Sequence, residues 1–295
     1  VSWSRGLGDV YKRQPDASEI HFYLDGTDLK IEAGSGKYNL TTLPSEDFPK
    51  FEAEDSLSEI NISSSNIKSL IGSTSFAMGN DSWRDYLSGL NLIVDDKTIT
   101  AVATDGSRLA VANAVLNEAL PDSINGIVPK KSVNEIGKLV SETSENIIIK
   151  LGSTSISIDA GGTKFVSKLI EGKFPDHEQV IPFGESSTMI INRKDFSDSL
   201  SRVSVLSGGD HKGVRFITEK NTINISANNP EKERGEESLA CSYGGESIDI
   251  AFNVNYFQEI LSSLSSEEIE INFFGSERSC LITVSYTHLR AHETN

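Results

Sequence analysis

Four amphipathic helical segments recur at regular intervals along the chain, and this spacing constrains the fold more than any other feature. Apolar residues follow the period of one helical face in residues 64–78, 130–141, 192–206 and 253–265. The centres of successive segments are about 60 to 66 residues apart, as expected for an internal repeat. A serine before the first segment is a candidate N-cap. The chain is therefore predicted to repeat one supersecondary unit.

The intervals between the helices contain short strand and turn patterns. Alternating or β-branched runs bounded by turn residues occur, for example, in NLIVDDKTITAVATDGSRLAVANA (91–114) and EIEINFFGSERSCLITV (268–284). Each repeat would then combine one helix with several antiparallel strands, and two repeats would make a domain of about 125 residues. The predicted fold class is α+β with internal pseudo-symmetry.

Composition narrows the class of protein. The 295 residues include 27 basic and 43 acidic side chains, a formal net charge of -16, which argues against a nucleic-acid partner if the cations are scattered. The two cysteines, Cys241 and Cys280, lack the spacing of a zinc or redox site, which favours a reduced, cytoplasmic compartment. Neither a long apolar run nor the apolar core of a secretory signal is found.

Motifs for catalysis, cofactors and metals are missing. The segment GSGK (34–37) fails the phosphate-loop pattern, because Ile31 and Tyr38 occupy two of its required positions, so a hairpin turn is favoured. We therefore predict no cofactor, no metal and no catalytic residue. The segment ATDGSRLAVA (103–112) could still be a catalytic loop with Asp105 and Arg108 or a tight turn between strands, and the lack of a base or metal disfavours an enzyme.

Several strings, in order, resemble the bacterial DNA polymerase III β subunits, the sliding clamps. They lie at residues 76–114, 126–136, 167–182, 212–238 and 250–261, among them GIVPKKSVNEI and IAFNVNYFQEIL. The resemblance runs from about residue 15 to about residue 283. It implies a non-catalytic processivity factor with a DNA-clamp fold, in which two identical subunits of three similar domains close head to tail around duplex DNA.

The resemblance also implies domain bounds. Residues 15–55 would be the remnant of domain 1, residues 56–186 domain 2, and residues 187–283 domain 3 without its last strand and tail. Residues 1–14 and 284–295 resemble translated sequencing-adapter sequence, although genuine flexible tails remain an alternative. On this interpretation the polypeptide as given would not close a ring.

In this family a shallow apolar groove between domains 2 and 3 binds short peptides from the replicative polymerase, the clamp loader and repair proteins. Carried over by position, the groove includes Leu87, Thr104, Gly106, Arg108, Leu109, Pro175, Val180, Asn253, Tyr256 and Ser279. Ser107, Gln179 and His211 depart from the family pattern, which leaves the peptide preference open. Without the resemblance, the groove positions would be assigned to the core and to turns.

Two further surfaces are predicted. Basic residues on or beside three of the four helices, together with a loop similar to a DNA-contacting one, would face duplex DNA: Arg84, Tyr86, Lys68, Lys130, Lys131, Lys138, Arg193, Lys194 and Arg202. The resemblance implies a subunit interface formed by Lys37, Tyr38, Leu40, Val205, Leu206, Glu231, Glu233, Glu236 and Glu237.

Two alternatives stay open on the sequence alone. The lysines could be ordinary solvated residues on the polar faces of surface helices. The whole chain could also be an acidic, β-rich surface-binding or adhesin-type module without DNA function, although such a module would be expected to carry a secretion signal and to lack basic helices.

Overall fold

The computed structural model describes residues 17–47, 58–80, 83–143, 146–208 and 213–284. These residues belong to two compact units, Val1–Glu52 and Ala53–Asn295. The string predicted to be non-native at residues 1–14 lies outside the described residues, as do residues 285–295, His211 and the predicted domain 1 boundary at residue 55.

The described part of the first unit contains a three-stranded antiparallel sheet in the order β1-β2-β3. The strands are β1 (Ile20–Asp25), β2 (Asp28–Ala33) and β3 (Gly36–Thr41). The register places Phe22 opposite Ile31 and Ile31 opposite Tyr38, so apolar side chains share one face of the sheet. Gly34, with φ of +57°, forms the turn into β3, which confirms the hairpin predicted at GSGK.

The central half of the second unit contains two repeats of the same order, strand, helix and three strands. The first repeat has β4 (Ser58–Ser63), α1 (Ser64–Thr74), β5 (Gly89–Asp95), β6 (Thr98–Thr104) and β7 (Leu109–Val115). The second has β8 (Ile124–Pro129), α2 (Lys130–Ser141), β9 (Asn146–Leu151), β10 (Ser155–Ala160) and β11 (Thr163–Lys168). The two repeats exchange their first strands, since the sheet orders are β11-β10-β9-β4 and β7-β6-β5-β8.

The C-terminal half of this unit repeats the plan. Its elements are β12 (Ser187–Asn192), α3 (Arg193–Ser204), β13 (Gly213–Glu219), β14 (Thr222–Asn228), β15 (Arg234–Ala240), β16 (Ser242–Tyr243), β17 (Asp249–Asn253), α4 (Val254–Ser263), β18 (Glu268–Phe273) and β19 (Leu281–Thr283). The sheets, β16-β12-β18-β19 and β15-β14-β13-β17, show the same exchange of β12 and β17. The predicted α+β class with pseudo-symmetric repeats is confirmed.

Each half has its own apolar core. In the central half, Leu70 of α1 and Ile136 of α2 pack with residues of both sheets. The C-terminal half is centred on an aromatic cluster of Phe196, Phe216, Phe252 and Phe257, whose contacting rings have centroids 5.0 to 6.0 Å apart. Two separate cores are the physical basis for two domains, while the bounds predicted at residues 56–186 and 187–283 remain predictions.

The helices begin and end close to the predicted residues. α2 has the predicted bounds, and the serine predicted before α1 is its N-cap, since Ser63 Oγ accepts a hydrogen bond from the Asn66 N–H at 3.2 Å. α1 ends earlier than predicted, at Thr74, and a 3-10 turn (Ser75–Ala77) follows. Thr74 Oγ1 donates to the carbonyl of Leu70 at 2.6 Å, a side-chain bond that competes with the helical ladder. In the part of the chain that the structure describes, the helices are too short or too polar to cross a membrane.

Candidate functional site

The turn between β6 and β7 is held by its own side chains. Asp105 Oδ1 accepts hydrogen bonds from the N–H groups of Ser107 at 2.8 Å and Arg108 at 3.0 Å, and Gly106 adopts a φ of +91°. Thr104 Oγ1 donates to the carbonyl of Arg108 at 2.6 Å. Asp105 therefore shapes the turn, and Arg108 is presented from a rigid backbone.

Arg108 joins the central and C-terminal halves of the second unit. Its Nη2 donates to the carbonyl of Phe76 at 2.8 Å, and its Nε donates to Asp105 Oδ2 at 3.1 Å. The guanidinium also lies 4.7 Å from the centroid of the Tyr256 ring on α4 and 5.4 Å from that of Phe76. Only 13% of the Arg108 side chain is exposed.

Glu259 completes this junction from the C-terminal half. Its Oε2 lies 2.5 Å from Arg108 Nη1. The contact is an ion pair, and Nη1 has no hydrogen-bond partner in the described part of the chain. Neither Glu259 nor Phe76 belongs to the predicted set. The position of Glu259, one helical turn after Tyr256, was the available signal.

The other predicted groove residues fall into two groups. Leu87 is buried with Val102, Ile127 and Phe174, and Leu109 packs against this small cluster. Exposed positions lie on the segment between the halves and on the loop before β19: Pro175, Val180 and Ser279. Asn253 is the N-cap of α4, where its side-chain oxygen accepts from the Asn255 N–H at 3.0 Å. Contacts among the ten predicted groove residues thus centre on Arg108, which meets Thr104 and Tyr256, and on the cluster that contains Leu87, against which Leu109 packs.

The basic residues predicted to face DNA differ in whether their side chains are paired with carboxylates of the same chain. Lys68 and Lys131 are exposed and form no hydrogen bond or ion pair within the described ranges. Lys138 pairs with Glu135 along α2, with Nζ 2.8 Å from the carboxylate. Lys194 pairs in the same way with Asp198 on α3, and this hydrogen bond raises the pKa of the lysine.

Three of these cations hold the protein together locally. Arg193 donates from Nε to the carbonyl of Ser266 at 2.7 Å and from Nη1 to that of Leu261 at 3.2 Å, where it binds carbonyls at the C-terminal end of α4. Arg202 makes a bidentate bond to Glu237 on β15, at 2.6 and 2.7 Å, which lowers the pKa of that carboxyl. Lys130 Nζ donates to Asn80 Oδ1 at 2.6 Å.

The loop predicted to contact DNA lies beside the 104–108 turn. A Cβ at Gly106 would come within 3.1 Å of Arg84 Nη1, so the two segments touch. Arg84 is exposed, whereas Tyr86 is half-buried against the Leu87 cluster. Trp83 is the most exposed large apolar residue of the described ranges, at 91%.

The predicted interface residues lie on two outer strands, β3 and β15, on the turn before β15 and directly after α3. Tyr38 and Leu40 on β3 are 57% and 52% exposed, and Lys37 Nζ lies 3.3 Å from Glu32 Oε1. Val205 follows α3 and is 78% exposed. Leu206 Cδ1 lies 3.3 Å from the point where a Cβ at Gly235 would sit, so it packs close to β15.

The acidic residues of this predicted interface are mostly bound within the chain. Glu233 accepts from Asn229 Nδ2 at 2.6 Å, Glu236 pairs with Arg234 at 2.7 Å, and Glu237 binds Arg202. Glu231 is exposed and, among the described residues, has no side-chain partner. The described ranges hold no cluster of three or more side chains suited to a metal ion.

Helix-and-sheet repeats arranged as pseudo-symmetric halves that Arg108 joins define a DNA clamp. The profile of the DNA polymerase III beta subunit central domain matches residues 61–176, and that of its C-terminal domain matches residues 178–290. The beta sliding clamp of Vibrio cholerae is 33% identical over 279 residues, which cover 95% of this chain and 76% of the relative. That of Pseudomonas putida is 34% identical with the same coverage.

Solved structures of sliding clamps also superimpose on this chain. The DNA polymerase III subunit beta of Pseudomonas aeruginosa superimposes with a TM-score of 0.86 at 34% identity, covering 95% of this chain and 77% of that one. A clamp of Bartonella birtlesii bound to griselimycin gives a TM-score of 0.86 at 33% identity, with 95% and 76% covered. The chain belongs to the DNA polymerase III β-subunit family, the bacterial sliding clamps.

Membership of this family decides between the function classes left open by the sequence. The chain is a processivity-factor sliding clamp, a non-catalytic accessory subunit of DNA polymerase III, with DNA and polymerase as the partners that the family implies. The adhesin-type alternative is not supported. The hypothesis of an enzyme using Asp105 and Arg108 is also discarded, and both side chains have structural contacts instead.

Proposed function

We propose that two copies of the full-length protein close head to tail into a ring around duplex DNA and tether partner proteins through the site at Arg108. Each subunit would contribute three similar domains, with domain 2 at residues 56–186 and domain 3 at residues 187–283. The observation that carries the proposal is the junction itself, where Arg108 of one half stacks on Tyr256 of the other. We also propose a cytoplasmic location, as expected for a replication protein.

The partner site is proposed to be the groove of ten residues named from the sequence. Leu87 and Leu109 supply its apolar floor, and exposed Val180 supplies a contact on the segment between the halves. Gly106 lets the Arg84 guanidinium lie close to the turn, because a Cβ there would come within 3.1 Å of Arg84 Nη1. A short peptide from the replicative polymerase, the clamp loader or a repair protein would anchor an apolar side chain here.

The surface facing DNA is proposed to depend most on Lys68 and Lys131. Both are exposed and unpaired within the described part of the chain, so their charges are available to phosphates. Lys138, Lys194 and Arg202 are partly neutralised by carboxylates, while Arg193 and Lys130 have donors committed to carbonyl and amide oxygens. Few free cations would give weak, sequence-independent attraction that permits sliding.

The ring is proposed to close between β3 of one subunit and the α3–β15 side of its partner. Tyr38 and Leu40 would meet Val205 and Leu206 in a small apolar contact, with Lys37 near the exposed Glu231. Glu233, Glu236 and Glu237 would contribute mainly by holding β15 and its turn in shape, since each already has a partner within the chain.

Topological retention on circular DNA tests this function. The full-length protein is incubated with a bacterial clamp loader, ATP and a nicked circular plasmid, and the DNA is then separated from free protein by gel filtration. A ring should co-elute with the circle and should be lost when a restriction enzyme cuts the circle, because a linear duplex lets it slide off the ends. Protein that stays bound after linearisation, and is released only by salt, would contradict encirclement.

A further inference from the structure

We infer that Glu259 is a positioning residue of the partner groove, which sets the distance between its two walls by holding Arg108 against Tyr256. This inference rests on the proposed groove and deepens it. Glu259 lies three residues after Tyr256 on α4, so both side chains project from the same face of the helix. From that face both reach the same guanidinium.

The orientation of the Arg108 guanidinium is set by contacts within the central half, independently of Glu259. Its Nε binds Asp105 and its Nη2 binds the Phe76 carbonyl, which fixes the plane of the group. Nη1 is then the nitrogen that faces the C-terminal half, and it has no hydrogen bond in the described part of the chain. The carboxylate of Glu259, 2.5 Å away, supplies the opposite charge for this buried nitrogen.

The consequence is that one ion pair connects the two walls of the groove. The turn at residues 104–108 supplies one wall, and α4 with Tyr256 supplies the other. Without the Glu259 carboxylate, Arg108 keeps the stacking of the Tyr256 ring as its contact with α4, and α4 keeps its packing on α1 and on the 3-10 turn, but the charged attraction between the two walls is lost. A partner peptide that needs both walls at once would then bind to a more variable site, and its affinity would fall.

Glu259 does not hold α4 in its own domain. That task falls to the neighbouring Gln258, whose amide donates to the Ser197 carbonyl at 2.9 Å and to Ser201 Oγ at 3.1 Å on α3. Phe257 and Leu261 bury the other face of the helix. A substitution at Glu259 should therefore leave the domain folded, because 50% of the side chain is exposed and the apolar packing is untouched.

The test uses griselimycin, which a clamp of Bartonella birtlesii and one of Pseudomonas aeruginosa bind. We expect it to occupy this groove. Its affinity for the full chain is measured by calorimetry for the wild type and for Glu259→Gln, Glu259→Asp, Glu268→Gln and Tyr256→Ala. Glu268 is the matched control, since it is an exposed glutamate of the same half with no side-chain partner among the described residues.

We expect Glu259→Gln to weaken binding about three- to tenfold, the range typical of partly exposed ion pairs, with Glu259→Asp restoring part of the loss. Glu268→Gln should match the wild type. Raising NaCl from about 0.05 to 1 M should bring the wild type towards the Gln variant, because salt screens the pair. A residue with a merely structural role would not produce this convergence of affinities. The melting temperature of Glu259→Gln should equal that of the wild type.

Two results would overturn the inference in distinguishable ways. If Glu259→Gln binds like the wild type at low salt while Tyr256→Ala binds weakly, the groove stands and the role of Glu259 is wrong. If Tyr256→Ala also binds like the wild type, or the wild type does not bind, the proposed groove fails and the inference fails with it.

Discussion

At the scale of single residues, the site depends on one side chain that makes several contacts at once. Arg108 makes two hydrogen bonds, one further ion pair and two ring contacts, and its carbonyl accepts from Thr104. Such a residue cannot be exchanged for lysine without loss, because a single ammonium cannot reproduce the planar fork. The polar groups of the turn at residues 104–108 thus serve to hold one arginine in place.

The reactivity of Cys280 is a prediction at this scale. Burial raises the pKa of the Cys280 thiol to about 12, so at neutral pH the thiolate is almost absent. In a Cys241→Ser background, alkylation of the native protein by iodoacetamide should be slow at pH 8 and should still be accelerating above pH 10. The same protein in urea is the control and should react at the rate of a free thiol. A native rate that levels off near pH 9 would contradict the prediction.

The sequence allowed the polar centre of the site to be predicted only in part. Arg108 and Tyr256 were assigned to the groove because the strings that contain them resemble a known family, and the structure brings these two side chains into contact. Glu259 was missed, since an acidic residue on the exposed side of a helix looks like any solvated charge until the opposite half of the junction is in view. Arg193 looked like a free cation for the same reason, whereas its donors bind carbonyls at the end of α4.

At the scale of elements, helix starts are marked by side chains that cap them. Ser63, Asn192 and Asn253 each accept a backbone N–H of the first turn of their helix, whereas α2 follows Pro129 and has no side-chain cap. Helix bounds could be predicted well because capping and the apolar period are local properties. The exchange of first strands between repeats could not, since it pairs β4 with β9 and β12 with β18 far along the chain.

The N-cap of α3 gives a prediction at this scale. Asn192 Oδ1 accepts from the N–H groups of Lys194 at 3.0 Å and Asp195 at 3.1 Å. Asn192→Ala removes both bonds and should lower the free energy of unfolding by about 1 kcal/mol. Urea denaturation followed by circular dichroism measures the change. Asn192→Asp, which keeps an acceptor, is the control, and equal losses in the two variants would show that the cap is not the cause.

At the scale of the whole molecule, the acidic charge and the DNA partner are compatible because charges are paired locally. Lys138, Lys194 and Arg202 are paired with carboxylates, whereas Lys68 and Lys131 leave unpaired positive charge on α1 and α2 within the described part of the chain. A net charge of -16 would meanwhile disfavour DNA binding elsewhere on the surface.

Ring closure gives a prediction at this scale. Val205→Ala combined with Leu206→Ala should convert a dimer of the full-length protein into a monomer, because the exposed valine and its neighbour provide half of the proposed apolar contact. Light scattering measures the mass. The exposed Val115→Ala, outside the proposed interface, is the control and should leave the mass unchanged. A double variant with the mass of a dimer would remove these residues from the interface.

The exchange of first strands within each half makes the folding of one repeat depend on the other. Each four-stranded sheet of the central half is complete only when the other repeat lends it a strand, β4 in one direction and β8 in the other. A single repeat on its own would therefore have an incomplete sheet and would need a second repeat to supply the missing strand. The two repeats therefore complement each other within one polypeptide, and deletion of either repeat would leave a sheet of the other one strand short.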